Sequence, residues 1–294
     1  MRYGTGVMLV VLAGVLWSGF GLAVRHLDGA GAWAVVFWRS VALVPALMLF
    51  ISWRSGGRAF SRVLATGWPG VCGGLCLIAA SLGGIYSIQV TTVANAVFLF
   101  AAAPFLTAVL GWLLLGERVR RATWVAIAMA ALGIFLMVRE GLAMGALDGN
   151  LAALGSALGF AGFTIAIRSG RQGDMMPTVV LGGVFTMIAA AFVAPLMGET
   201  LWVSAHDILL SLGMGAVLLA TGMALYTVGS RVIPAAELPL LSIVEVLLAP
   251  VWVWLFLGET ASGGTIAGGA LLVAAVVWNA LSGMRGRAPV PAKA

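Results

Sequence analysis

The sequence predicts an all-α membrane protein of ten transmembrane helices, built as two inverted-topology five-helix repeats with N and C termini cytoplasmic. Three observations predict it. The chain is 62% hydrophobic and 9% charged, with mean hydropathy +1.11, where soluble domains carry about 25% charged residues. The run Trp112-Leu113-Leu114-Leu115-Gly116-Glu117 returns 142 positions later as Trp254-Leu255-Phe256-Leu257-Gly258-Glu259. Finally, the basic residues gather in alternate loops between long apolar runs.

A helix needs about 20 mainly apolar residues to cross a hydrocarbon core about 30 Å thick. Such runs fall at 5–25, 32–51, 66–86, 91–115, 122–139, 148–168, 177–197, 207–230, 235–257 and 264–283. The first resembles a signal peptide in length. However, Gly19-Phe20-Gly21-Leu22-Ala23-Val24-Arg25 recurs as Gly162-Phe163-Thr164-Ile165-Ala166-Ile167-Arg168, offset by 143. A segment that recurs inside the chain belongs to the fold, so it is expected to be retained.

Lys and Arg are held on the cytoplasmic side during insertion. With both ends inside, Arg2, Arg54, Arg58, Arg62, Arg118, Arg120, Arg121, Arg168, Arg171, Arg231, Arg285, Arg287 and Lys293 are inner. Only Arg25 and Arg139 are outer, and Arg39 lies within a span. Five spans per half is an odd number, so the second half enters the membrane from the opposite side. The repeats are then 1–147 (spans 1–5) and 148–294 (spans 6–10). Glu117 falls at the inner surface, followed by arginines, and Glu259 at the outer one, followed by Thr260-Ala261-Ser262-Gly263-Gly264. Both glutamates are expected to cap and anchor span ends. Inverted repeats are an arrangement of secondary transporters, in which exchanging the roles of the halves gives alternating access to a central site.

The net charge of +6 does not point to nucleic acid, because the basic residues sit in short loops with no soluble module to carry them. Cys72 and Cys76 lie four apart inside one apolar run and read as small core residues, not a disulfide or a metal site. No metal or cofactor is expected. HExxH, GxSxG, aspartate-rich diphosphate and phosphate-loop motifs are absent from the sequence, and His26 and His206 fall at predicted outer ends, so an enzyme is not expected. No span offers a polar face long enough to line a continuous pore.

Ionisable groups inside a membrane are unfavourable by about 2.5–3.5 kcal/mol on insertion scales, which makes each a functional candidate. Two lie deep. Arg39 is about 12 Å into span 2, and Glu245 about 15 Å into span 9, at 1.5 Å per residue. One reading has them bind the carboxylate and ammonium of a zwitterionic substrate; the other has them pair with each other and fix packing. Unpaired, Glu245 could carry a proton. Asn95 and Glu237 are repeat-equivalent, each early in its span, as vestibule contact, packing hydrogen bond or solvated group.

Pro104 in span 4 and Pro239 and Pro250 in span 9 each remove a helical donor, freeing the carbonyls of Phe100, Ala235 and Val246. Spans 4 and 9 are repeat partners, so these prolines are candidate hinges. Trp17 and Phe20 on span 1, and Phe160 and Phe163 on span 6, are candidate cavity lining at matching spacing. Gly155, Gly159 and Gly162 beside them permit close helix approach or leave room for a ligand. Trp53, Trp68, Trp124 and Trp202 read as interfacial anchors, and Gly70/Gly74 and Gly264/Gly268 as packing faces. A monomer is the working expectation, with Gly264, Gly268 and Gly269 of span 10 as a weak dimer pattern.

The paired Trp-Leu-x-Leu-Gly-Glu ends, with Phe37-Trp38-Arg39 and Trp17-Ser18-Gly19-Phe20, resemble the drug/metabolite transporter superfamily, specifically its ten-span EamA-type exporters. Within these the chain is most similar to YddG-type exporters of aromatic and other amino acids. The resemblance implies a multi-pass protein of the bacterial inner (plasma) membrane that exports amino acids or amphipathic metabolites. It also implies a central cavity lined by spans 1–4 and 6–9, with spans 5 and 10 peripheral. Multidrug or cationic-compound export is the alternative, weakened because spans 1 and 6 lack an acid between their ends. A lipid-linked flippase is the alternative of another class.

Overall fold

A computed structural model describes residues 2–143, 146–171, 173–234 and 237–285. Ala235, Arg287 and Lys293, used in the sequence reading, lie outside the described residues. Among the described residues, ten helices are long and apolar enough to cross a membrane. They are Tyr3–Arg25, Ala32–Ser55, Gly67–Val90, Val93–Leu115, Arg121–Glu140, Leu147–Ser169, Met176–Leu196, Ala205–Val232, Leu238–Leu257 and Gly263–Met284, spans 1 to 10. Every end falls within four residues of its sequence expectation. A short helix, Ala59–Leu64, joins spans 2 and 3. Since consecutive spans reverse direction, Tyr3 and Met284 share one face, called here the terminal face; Arg25 and Leu257 lie at the far face.

The repeated motif has a local cause. Spans 4 and 9 both end on a left-handed glycine, Gly116 at φ 67° and Gly258 at φ 68°. The next amide closes each end, Glu117 N–H on the Gly111 carbonyl (3.1 Å) and Glu259 N–H on the Val253 carbonyl (3.3 Å). Glycine takes this conformation without the Cβ clash other residues meet, and the six-residue closure satisfies carbonyls left over at a helix end. The motif's glutamates are thereby aimed outward from matching helix ends. Each pairs with an arginine of the other half: Glu259 with Arg25 at 2.7 Å and Glu117 with Arg168 at 3.0 Å.

Contacts between spans come in sets that exchanging the halves interconverts. Span 1 packs on 9 and span 6 on 4; span 1 packs on 8 and span 6 on 3; spans 2 with 7, and 5 with 10, pack on each other. Small residues make the closest of these possible. A Cβ on Gly133 of span 5 would lie 2.7 Å from the Gly268 carbonyl of span 10, and one on Gly159 would lie 2.7 Å from Ala80 N of span 3. Gly268 and Gly269 of span 10 thus face span 5 and Phe98 of span 4. That corrects the dimer pattern: those glycines are already covered within the chain.

Buried apolar residues form one cluster in the far half, around Val24, Val36, Ile88, Val93, Met214 and Val253 of spans 1, 2, 3, 4, 8 and 9. A second joins the terminal halves of spans 2, 7 and 8 with Phe163, and a third joins spans 4, 5, 6 and 10. Large apolar side chains such as Leu196 (85% exposed) and Phe192 (73%) cover the outside. In water this surface would be unfavourable; against lipid it is the expected one.

Three spans are interrupted. Span 1 breaks at Gly19 and span 4 at Ala101–Ala102. Span 8 runs as Ala205–Gly213, a π-helix over Met214–Thr221, then Gly222–Gly229.

Candidate transport site

Arg39 is carried by span 2 into the packed interior and is 6% exposed. Its Nε has no hydrogen-bond partner. The guanidinium carbon lies 5.9 Å from the centre of the Phe20 ring on span 1, within the range in which an aromatic face attracts a cation. The π-helical part of span 8 presses on the same residue. A Cβ at Gly215 would collide with the Arg39 carbonyl, so only glycine permits this approach. π-Helical turns strand backbone groups and recur at functional sites.

Glu245 lies on span 9 against span 1, where a Cβ on Gly14 would be 3.6 Å from its amide. Its side chain is only partly buried, and among the described residues it makes no ion pair. Arg39 and Glu245 do not pair with each other within 4.0 Å. Span 1 packs against both, near Arg39 through Phe20 and near Glu245 through Gly14. Trp17 on the same span stacks on Tyr226 of span 8 at 5.6 Å, and its indole N–H is unpartnered. The Tyr226 hydroxyl lies near Ser242 of span 9. Trp252 Nε1 donates to Ser18 Oγ at 2.8 Å, closing this aromatic wall from the span 9 side. A carboxylate, a guanidinium and aromatic faces with spare donors can together hold an amphipathic zwitterion.

The remaining sequence candidates separate from this cluster. Phe163 is 2% exposed and packs against span 3 at Gly73; Phe160 stacks on it and on Phe100 of span 4, each at 5.6 Å. Asn95 is buried and bonded on every side. It donates to Asn150 Oδ1 of span 6 and to Thr91 Oγ1 (3.2 Å), and accepts from Thr265 Oγ1 of span 10 (3.3 Å). Its work is helix-to-helix bonding. Glu237 immediately precedes span 9 without a side-chain capping bond and accepts from the Tyr3 hydroxyl of span 1.

The prolines divide likewise. Pro104 opens the second segment of span 4, next to the break, and Pro250 lies inside span 9. Pro239 corrects the hinge expectation, because it sits in the first turn of span 9. A first-turn N–H has no helical acceptor to lose, so Pro239 introduces no kink. Tyr226, Ser242 and Asn150 escaped sequence reasoning; a hydroxyl or amide in a span reads equally well as packing until its neighbours are known.

Ten membrane spans make this a multi-pass membrane protein, and among the described residues Arg39 and Glu245 make no ion pair. The EamA-like transporter family matches residues 4–139, nearly the whole first half. The chain is similar to the pseudopaline exporter CntI of Pseudomonas aeruginosa, 28% identical over 283 residues, 93% of this chain and 95% of the relative. An uncharacterized transporter of Archaeoglobus fulgidus is 28% identical over 94% of this chain and 96% of its own. A solved crystal structure covers 97% of this chain and 100% of its own with TM-score 0.68; at 19% identity it shows the fold alone. The first half of the chain is thus similar to the EamA-like transporter family, and nearly the whole chain to the two transport proteins named.

Proposed function

We propose that the protein exports amino acids, including aromatic and hydrophobic ones, or related small metabolites by alternating access through a central cavity. The two halves are inverted repeats inserted with both termini in the cytoplasm of a bacterial inner membrane, so the terminal face is the inner one. The exchange-symmetric helix contacts and the 13-to-2 distribution of basic residues support that arrangement.

The observation that carries the substrate reading is the unpaired state of Arg39 and Glu245. A buried guanidinium without a partner is unfavourable unless a ligand completes it. Arg39 therefore binds the substrate carboxylate, Glu245 the ammonium, and Trp17, Phe20 and Tyr226 the apolar side chain. Counterflow of labelled amino acids into proteoliposomes tests it. Glu245→Gln is expected to slow zwitterion exchange and to change its dependence on a pH gradient; unchanged transport and pH dependence would remove Glu245 from the site.

A second reading rests on the near full-length similarity to the pseudopaline exporter. Pseudopaline offered in the same counterflow assay distinguishes the two, since selective exchange of pseudopaline over amino acids favours that cargo.

A further inference from the structure

The four charged residues at the span ends, Arg25, Glu259, Arg168 and Glu117, lie outside the substrate site. They are repeat mates: Arg25 and Arg168 are offset by 143, Glu117 and Glu259 by 142. Each arginine ends the first span of its half, and each glutamate follows the fourth span of the other half. The two ion pairs are therefore one contact made twice, once at each face. Their surroundings differ.

At the far face the pair is a hub. Arg25 Nε meets Glu259 Oε2 at 2.7 Å, and Arg25 Nη2 donates to the Thr91 carbonyl at 2.6 Å. The other Glu259 oxygen, Oε1, accepts from Val93 N–H, the first amide of span 4, at 2.7 Å. Spans 1 and 9 are thereby tied to the junction of spans 3 and 4, over the buried cluster containing Val24, Val93, Ala96 and Val253. The side chains are 24% and 19% exposed. At the terminal face, Arg168 and Glu117 are 47% and 43% exposed and, among the described residues, bond only each other through their side chains. They join span 6 to span 4, which are already neighbours. Packing follows the same division. Both halves of span 4 pack on span 6; its far half also packs on spans 9 and 10, whereas its terminal half adds only a lighter contact with span 5. Among the described residues, the span 1/9 and span 4/6 groups close on each other through charged side chains only at the far face.

We propose that Arg25, Glu259, Thr91 and Val93 form the far-face gate of this transporter. In the state seen here that gate is shut, and the Arg168–Glu117 pair is its repeat-related counterpart, not yet joined to the span 1/9 group. This rests on the alternating-access reading above. Opening toward the far face requires Glu259 to release the span 4 amide and Arg25 to release the Thr91 carbonyl. Losing such charge-assisted bonds, offset in part by water taking their place, shifts a two-state equilibrium by about tenfold.

The experiment labels Ala96→Cys, which lies beneath the gate at 3% exposed, in a Cys72→Ala/Cys76→Ala background in proteoliposomes. The reagent is a membrane-impermeant methanethiosulfonate. Glu259→Gln is expected to raise the labelling rate by about tenfold, with Arg25→Gln similar and the double variant no greater than either. Glu117→Gln is expected to leave labelling unchanged or lower it. Should Glu259→Gln fail to fold, Val93→Pro removes the N–H that donates to Glu259 while keeping an apolar side chain in the buried cluster. Proline suits this first helical position behind the extended Thr92 (ψ 146°), and a several-fold rise is expected, about a third of the full effect. Labelling unchanged in Glu259→Gln, or in Val93→Pro where that replaces it, overturns the gate. Labelling needs no substrate, so a rise without amino-acid exchange upholds the gate and removes the substrate reading. Exchange with flat labelling does the reverse.

Discussion

Two buried charges of this molecule have opposite surroundings. Asp207, at the start of span 8, is 1% exposed. Its carboxylate accepts from three consecutive amides of the loop between spans 1 and 2: Asp28 (2.8 Å), Gly29 (3.2 Å) and Ala30 (3.0 Å). Its own amide is capped by Ser204 Oγ at 3.1 Å. Arg39, in span 2, is buried nearly as deeply with an unpartnered Nε and an aromatic face for company. A buried charge is tolerated when hydrogen bonds replace its water. Asp207 meets that condition from within the fold, so its role is to fix the loop. Arg39 does not, and the missing partner is what a substrate supplies. Asp28 and His206 lie close to Asp207, yet both Asp207 oxygens are already taken by amides, so the cluster reads as a loop clasp.

The comparison can be broken or sharpened in decreasing order of effect. Arg39→Gln should lower exchange by about a hundredfold, the scale of losing a charge-assisted contact, while the melting temperature of the detergent-solubilised protein changes little. A collapse of the melt without a specific transport loss would make Arg39 structural. Asp207→Ala should do the opposite, destabilising by about 3 kcal/mol because three amides lose their acceptor. A thermal-stability assay by size exclusion reads it; an unchanged melt would contradict the clasp. Gly215→Ala should strain the approach of span 8 to Arg39 and destabilise by about 1–3 kcal/mol, visible in the same melt. Pro104→Ala should change transport rate by only a few-fold, through the break in span 4. Identical rates would show that the break is not a hinge.

Much of the fold was legible in the sequence because lipid leaves few choices. Span length is fixed by bilayer thickness and backbone polarity, so all ten helices could be placed. The glycine of Trp-Leu-x-Leu-Gly-Glu was legible as a helix end. Its glutamates were expected to cap and anchor span ends, and Glu259 accepts from the first amide of span 4 and pairs with Arg25. A signal for that pairing was present, since both arginines and both glutamates recur at nearly one offset, but an offset does not say which residues meet. The π-helix of span 8 had no visible signal, as Met214–Thr221 contains no proline and reads as ordinary apolar helix. Pro239 was misplaced because a helix start three residues later turns a kink into a first-turn residue.

By itself the sequence determined the number of spans, their apolar character and the duplication, since each is a local or periodic property of residues in lipid. The tertiary structure alone decided which buried charges have partners. That depends on which helix faces meet, and Arg39 and Glu245, both near the midplane on paper, each pack against span 1 without pairing.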